Sequence, residues 1–220
     1  MKLKFQNIEQ EFNYAENNVC ELILENPEMF FTITNGLIKQ VNGEEQICFL
    51  YEKDKDFDLN KYAEIVSDFY SFSCNSKKIN LLVQKKILQL CENVDFAMEL
   101  DNLNKTLQKV MNKIGDNVDI PIDMNKEIQF PEVVKFMDIE VRESASLFER
   151  LIDYVNLLGK LKGIKLLVLL NLSAYLSAEK IKLLLKQCVY NEIKVLLICN
   201  ADKGLPVDKK VIIDKELCEI

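Results

Sequence analysis

Lysine residues in the last third of the sequence form two groups that could contact phosphate: Lys160, Lys162 and Lys165, and then Lys182 and Lys186. The second pair is one helical turn apart, which places both ammonium groups on the polar face of an amphipathic helix. Residues 157–190 contain no arginine, so these lysines suit phosphate contact through point charges rather than paired readout of bases. The alternative is an ordinary solvated helix face on which Glu179 pairs with Lys182.

The second candidate site is the acidic segment 116–127, which follows a long helical pattern. Its carboxylates are Asp116, Asp119, Asp123 and Glu127. Ca²⁺ takes roughly six to eight hard oxygen ligands in flexible geometry, and alternating oxygen donors in an irregular loop can supply them. The spacing differs from the DxDxDG pattern of an EF-hand. A solvated loop, a Ca²⁺ site and the Mg²⁺ site of a carboxylate-dependent nuclease therefore stay open as interpretations.

Several chemistries are excluded or disfavoured by residue types that the sequence lacks. It contains no histidine, which excludes Ser-His-Asp and Cys-His catalysis, HExxH zinc sites and any imidazole general base. Its seven cysteines form no CxxC pair and lie mostly in apolar segments, so we expect reduced, buried thiols. None of its six glycines lies in a GxxxxGK[ST] or GxGxxG pattern, which disfavours nucleotide hydrolysis.

Charge is unevenly distributed along the 220 residues, whose formal net charge is −7. Such a protein repels polyanions in bulk, so binding of nucleic acid requires a segregated basic surface. Residues 9–28 carry only acidic charges, whereas residues 157–190 carry six lysines against one glutamate. Acidic and basic residues are therefore segregated along the chain, as a basic surface requires. No apolar run is long enough to cross a bilayer and no signal-peptide pattern opens the sequence, so we expect a cytoplasmic protein without a membrane partner.

The elements that must position these residues follow an α/β pattern. Apolar runs at 164–170, 194–199 and 210–213 alternate with an amphipathic helix at 177–190, which is typical of a mostly parallel sheet. A capping box, Ser146 with Glu149, opens a helix that is expected to cover the sheet. Nearer the N-terminus the pattern predicts three strands that join the same sheet and two helices: strands at 2–5, 19–24 and 46–51, a helix from Pro27 toward Gln40, and a helix at 59–72 capped by Asp58.

A helical segment interrupts this α/β pattern. Apolar residues at 79–90 predict one helix, and the alternating four-and-three spacing from Phe96 to Ile114 predicts a second, with Gly115 as its C-cap. The predicted organisation is an α/β head domain at 1–76 and 137–220 with a helical leg domain at 77–136. The apolar seam of the second helix also allows a protein-interaction module that docks a partner helix.

Several stretches resemble the accessory protein of type II-A CRISPR spacer acquisition. The main ones run from Leu147 to Ile152 and from Leu166 through Asn171-Leu172-Ser173-Ala174-Tyr175 to Ile181. The opening Met1–Phe5 and the loop Val118–Asp123 are similar to that family as well. The resemblance extends over nearly the whole chain in the same order, and it consists of hydrophobic patterns rather than a catalytic signature.

The resemblance implies an α/β head that looks like a phosphate-loop ATPase core without its phosphate loop, with an inserted helical leg. It further implies a non-enzymatic, ring-shaped homotetramer that holds Ca²⁺ in acidic loops and threads double-stranded DNA from free ends through a lysine-lined hole. Such proteins assist the CRISPR integrase pair and the effector nuclease in spacer acquisition. Asp119 and Asp123 match acidic positions of the family, with Asp116 and Glu127 as neighbours. Lys160, Lys162 and Lys165 fall where the family also places basic residues.

Overall fold

The computed structural model of the protein describes residues 1–53, 55–118 and 126–220. Contacts between Cα atoms divide the chain into two compact units, which we call the head unit (Met1–Cys74 with Glu143–Ile220) and the helical unit (Asn75–Arg142). The elements in chain order are β1 (Lys2–Phe5), β2 (Glu11–Asn13), β3 (Val19–Leu24), α1 (Pro27–Val41), β4 (Cys48–Glu52), β5 (Lys55–Phe57), α2 (Leu59–Tyr62), β6 (Ala63–Val66), α3 (Lys77–Cys91), α4 (Val94–Val118), α5 (Phe130–Phe136), α6 (Leu147–Leu161), β7 (Leu166–Leu170), a 3₁₀ turn (Leu172–Ala174), α7 (Ala178–Tyr190), β8 (Lys194–Cys199) and β9 (Lys209–Ile213).

The head unit is built on a five-stranded parallel sheet in the order β6-β7-β8-β3-β9. Every residue of β3 and β7 is buried, as expected for strands that are covered on both faces. The observed fold is therefore the predicted α/β class with a mostly parallel sheet and a helical part. Asn26, Ser146 and Ser177 cap the helices α1, α6 and α7 with their side chains.

The prediction that the strands near the N-terminus all join one sheet is wrong. Only β3 belongs to the parallel sheet, whereas β1 and β4 form a separate antiparallel sheet in the order β2-β1-β4-β5. In β1, buried Leu3 and Phe5 alternate with half-buried Lys2 and Lys4, a pattern typical of a sheet with one face on the core. The core face of this small sheet packs with α1 against one face of the parallel sheet.

The predicted helix at 59–72 is also wrong beyond its first turn. Asp58 does cap it, because its side chain accepts a hydrogen bond from the Asn60 N–H at 3.0 Å. The helix ends at Tyr62, and the following residues form β6, which pairs in parallel with β7. The pairing of β-branched Ile65 and Val66 with an already buried strand outweighs the weak helical pattern.

In the helical unit, α3 and α4 confirm the two predicted helices, and α5 is an element that the sequence analysis missed. Gly115 does not end α4, since the helix continues to Val118 and Gly115 is buried within it. The Asn104 side chain donates to the Ile128 carbonyl at 3.0 Å and accepts from its N–H at 2.9 Å. These two bonds hold the segment before α5 against α4. None of the described helices combines the length and apolar character needed to cross a lipid bilayer.

Candidate functional site

The turn from β3 into α1 is where a phosphate-loop protein would carry its glycine-rich loop. Here it consists of Glu25 and Asn26, with Pro27 at the first position of the helix. The Asn26 Oδ1 atom accepts hydrogen bonds from the N–H groups of Glu28 at 3.0 Å and Met29 at 3.1 Å. A phosphate at a helix N-terminus is bound by these same amide groups. The local structure therefore offers no phosphate loop, in line with the glycine pattern of the sequence.

The first group of lysines lies at the opposite edge of the sheet, where β7 and β8 begin. Lys162 and Lys165 line a cavity of about 360 Å³ together with Lys194, a residue that the sequence analysis did not single out. Lys194 comes close because β7 and β8 run in parallel and Leu166 pairs with Lys194. Lys160 is exposed in the last turn of α6 and is not among the residues that line this cavity. We call this cavity the turn cavity, because it lies at the helix-to-strand turns that precede the two strands.

Aromatic and amide groups hold two of the three lysines that line the turn cavity. The Lys165 Nζ atom lies 4.5 Å from the ring centroid of Phe57 and 5.5 Å from that of Tyr62, distances at which a cation is attracted to the ring face. The Lys194 Nζ atom donates to the Asn18 Oδ1 atom at 2.7 Å. All three partners are neutral, so none of them cancels the positive charge of either lysine.

One carboxylate that lines the turn cavity is paired with the N-terminal ammonium group rather than with a lysine. Glu52 bonds to the Met1 ammonium at 3.2 Å. This bond and, more weakly, the positive charge of Lys165 lower the pKa of Glu52. Within the described part of the chain, no carboxylate lies within ion-pair distance of Lys162, Lys165 or Lys194. The cavity therefore keeps a positive character.

The part of the turn cavity that is lined by Gly159 and Asn191 depends on a close approach of α6 and α7. A Cβ atom on Gly159 would lie 2.3 Å from the Oδ1 atom of Asn191. The Asn191 Nδ2 atom donates to the Asn156 Oδ1 atom at 3.1 Å and to the Gln187 carbonyl at 2.9 Å. Only glycine leaves room for this network, and the ends of the two helices are thereby held side by side.

The second group of lysines is found elsewhere on the head unit. Lys182 and Lys186 are both exposed on α7, as predicted, and line a second cavity of about 340 Å³ with Asp208 and Pro206. The pairing of Glu179 with Lys182, which belonged to the alternative of a solvated helix face, is not seen, since no ion pair joins these two described residues. Hydrogen bonds from the Glu179 N–H and from Ser177 lower the pKa of Glu179 instead. The five predicted lysines thus divide between two places on one unit.

The predicted metal ligands are only partly within the described structure. Asp119 and Asp123 lie outside the described residues. Asp116, in the last turn of α4, and Glu127, ahead of α5, are both exposed. Among the described residues, no group of three or more Cys, Asp or Glu side chains could hold a metal ion.

The cysteine thiols are all free, and five of the seven are buried. Burial raises the pKa of the Cys48 and Cys188 thiols to about 12. At neutral pH a thiol with such a pKa carries very little of the thiolate that acts as a nucleophile. The free, mostly buried thiols agree with the prediction from the sequence.

Comparisons with known proteins agree with the observed fold. A family model described as CRISPR-associated protein (Cas_Csn2) matches residues 40–217. The crystal structure of Stu0660 of Streptococcus thermophilus is similar to this chain, with a TM-score of 0.62 and 14% sequence identity over 90% of this chain and 68% of that chain. At this identity the likeness shows a shared fold. A comparison with the curated proteins finds no match.

Proposed function

The chain belongs to the family of the CRISPR-associated protein Cas_Csn2, and from that premise we propose that it binds double-stranded DNA without reading its sequence and assists the acquisition of new spacers. We also propose that the protein is not an enzyme and that it acts in the cytoplasm beside the CRISPR integrase pair and the effector nuclease. One observation carries it: two groups of exposed or cavity-lining lysines on the head unit have no carboxylate at ion-pair distance among the described residues.

Lysines in this arrangement suit the DNA backbone. Each is a point charge on a flexible stem, which neutralises phosphate but does not match the paired acceptors of a base edge. Every neutralised phosphate releases a condensed counterion, so we expect affinity to fall steeply with salt and to vary little with sequence. The protein as a whole is acidic, with a formal net charge of −7 that includes these lysines. Its repulsion of DNA restricts contact to the lysine-bearing surfaces.

We further propose that four copies assemble into a ring around the DNA. A ring repeats a weak basic surface fourfold and multiplies its effect on affinity through effective concentration. Exposed apolar side chains on α4, namely Phe96, Leu103, Val110 and Ile114, give the helical unit a surface that contacts between copies would cover. The same stripe is the observation that favours the second candidate, a protein-interaction module without DNA binding.

Binding to linear and covalently closed circular DNA of the same sequence tests the proposal. We expect a tetramer by solution mass that is retained on linear DNA and lost from circles, because a closed ring loads only over a free end. Equal binding to both forms would contradict the ring and indicate an open basic surface. No binding at low salt would contradict DNA binding altogether and favour the interaction module. Release of labelled fragments in Mg²⁺ or Mn²⁺ would contradict the non-enzymatic assignment.

Calcium is part of the proposal, with Asp116, Asp119, Asp123 and Glu127 as its ligands. Asp116 and Glu127 are exposed carboxylates, the hard oxygen donors that Ca²⁺ prefers, and they flank the segment that contains the other two. No step of DNA binding passes through the ion. Bound Ca²⁺ would hold the acidic segment in place and stabilise the folded protein.

Calcium binding predicts a change in thermal stability. At a Ca²⁺ concentration about 100 times the dissociation constant, the folded state gains about 2.7 kcal/mol. We expect the midpoint of thermal unfolding to rise with added Ca²⁺ and to fall with chelator, and Asp119→Asn with Asp123→Asn to abolish the difference. Asp138→Asn with Glu140→Gln, outside the acidic segment, is the matched control. An unfolding midpoint that does not respond to Ca²⁺ would refute the calcium assignment.

A further inference from the structure

We propose that the turn cavity binds a phosphate monoester, the group that ends a 5′-phosphorylated DNA strand. This inference rests on the proposed function, because it names the part of the DNA that this edge of the head unit recognises. It is carried by the backbone of the two turns, by the cations that line the cavity and by its recessed shape.

Both helix-to-strand turns at the cavity hold a non-glycine residue in the left-handed region. Lys162 ends α6 with φ 53°, and Glu192 follows α7 with φ 60°. Helices that end in this conformation usually carry glycine, because a Cβ atom makes it unfavourable. A glycine, Gly163, is next in the sequence, yet the lysine occupies the strained position. Strain kept in this way is common at functional sites, and here the two strained residues, a lysine and a glutamate, both line the cavity.

The charges around the cavity favour an anion. Lys162, Lys165 and Lys194 all line one recess, so three positively charged residues surround it. Two carboxylates also line it, but Glu52 is bonded to the Met1 ammonium at 3.2 Å, which leaves Glu192 as the remaining negative charge. Lys165 and Lys194 are held by neutral partners, Phe57 and Asn18. Neither contact cancels the positive charge of the lysine, so both charges remain available to attract a phosphate.

A terminal phosphate suits this recess better than a phosphate within a strand. A monoester carries a charge of about −1.5 to −2 at neutral pH and three strong acceptor oxygens, whereas a phosphodiester carries a single charge. A monoester is joined to one sugar only, so its oxygens can enter a recess of about 360 Å³. A phosphate inside a duplex is flanked by a sugar on each side, which keep it at the surface.

The test compares blunt linear duplexes that differ only in a 5′-phosphate or a 5′-hydroxyl group. The wild-type protein should bind the phosphorylated duplex about tenfold more tightly, the effect of one charge-assisted contact. Lys162→Gly and Lys194→Gln should each reduce this preference. Lys160→Gln, at an exposed lysine of the same helix end that does not line the cavity, should retain it. Replacing chloride by inorganic phosphate at equal ionic strength should remove the preference and spare binding of the hydroxyl end.

Stability distinguishes a role of Lys162 in binding from a structural one. Since glycine relieves the strain at φ 53°, Lys162→Gly should unfold about 2–4 °C higher than the wild type while preferring phosphorylated ends less. Equal affinity of the wild type for both ends, or a preference that survives inorganic phosphate, would overturn the inference and leave the proposed function standing. Loss of binding to both duplexes would refute the proposed function, and the inference with it.

Discussion

Replacing Lys182 and Lys186 together by glutamate should weaken binding of linear double-stranded DNA by about 100-fold at moderate salt. Each lysine is exposed on α7, and a charge-assisted contact contributes about 1.5–3 kcal/mol. Two lost contacts, together with the repulsion of two new carboxylates, are enough for this effect. The variant should fold normally, because neither side chain contributes to the buried face formed by Ile181, Leu184, Leu185 and Cys188.

Salt dependence separates this effect from a general loss of positive charge. Each phosphate contact contributes about 0.9 to the slope of log affinity against log salt concentration. The slope of the α7 variant should therefore become shallower by about 2 for every protomer that contacts the DNA. A variant that only repels DNA at long range would lose affinity at low salt and recover it as screening increases.

The helical unit offers a matched control. Lys85 and Lys86 are exposed on α3, and reversing them changes the net charge of the protein by the same amount. We expect this control to keep most of its affinity and all of its slope, measured by fluorescence anisotropy over a salt series. Equal losses in the two variants would mean that net charge, rather than α7, governs binding. Unchanged binding of the α7 variant would remove Lys182 and Lys186 from the DNA site.

Local signals in the sequence account for most of the correct fold predictions. Ser146 and Ser177 precede α6 and α7 and cap them through their hydroxyl groups. An N-cap depends only on residues within the first helical turn, so the local sequence is enough to predict it. The apolar runs that became β7 and β8 are buried over nearly their whole length. For such segments the hydrophobic pattern and the tertiary environment favour the same structure.

Most of the incorrect predictions concern residues whose structure or neighbours are determined by contacts with distant parts of the chain. The residues of β6 carry a weak helical pattern, and their pairing with β7, about a hundred residues later, determines the strand. Lys194 was missed because its closeness to Lys165 results from the parallel register of β7 and β8. Gly115 was assigned as a helix end by residue type alone, although α4 continues past it. Pairing partners and register are not local properties, and a single sequence does not contain them explicitly.

Glu21 is a buried carboxylate in the otherwise apolar strand β3. The largest change in stability that we predict concerns its ion pair. Glu21 lies in the central part of β3 with no exposed surface. Neither of its carboxylate oxygens accepts a well-formed hydrogen bond from the described residues. The Lys210 Nζ atom lies 3.5 Å from Glu21 Oε2 and 2.6 Å from Asp202 Oδ1, so one ammonium group serves two carboxylates.

Burial raises the pKa of Glu21, and the positive charge of Lys210 partly opposes this rise. The folded state therefore binds the Glu21 proton more tightly than the unfolded chain does. The contribution of this group to stability is greatest below its ordinary pKa of 4.5 and is lost as the pH rises through the raised pKa. Removing Lys210 should raise the pKa further and enlarge this loss at high pH.

We therefore expect Lys210→Met to lower the free energy of unfolding by about 3 kcal/mol near pH 8, the lower end of the cost of breaking a buried pair, because Lys210 is itself partly exposed. The loss should be clearly smaller near pH 5.5, where more of the Glu21 carboxyl is protonated. Urea unfolding at the two pH values measures both effects.

A double-mutant cycle identifies Glu21 as the cause. In a Glu21→Gln background no charge is left on β3, so Lys210→Met should cost less than about 1 kcal/mol, and the cost should hardly depend on pH. The remaining loss of stability would come from the ion pair with Asp202. Asp202 is exposed, so we expect this pair to contribute little to the free energy of unfolding. If Lys210→Met costs as much in the Glu21→Gln background as in the wild type, the buried carboxylate does not depend on Lys210. The ammonium group would then act through Asp202 alone, since it is the only other carboxylate at ion-pair distance from Lys210 among the described residues.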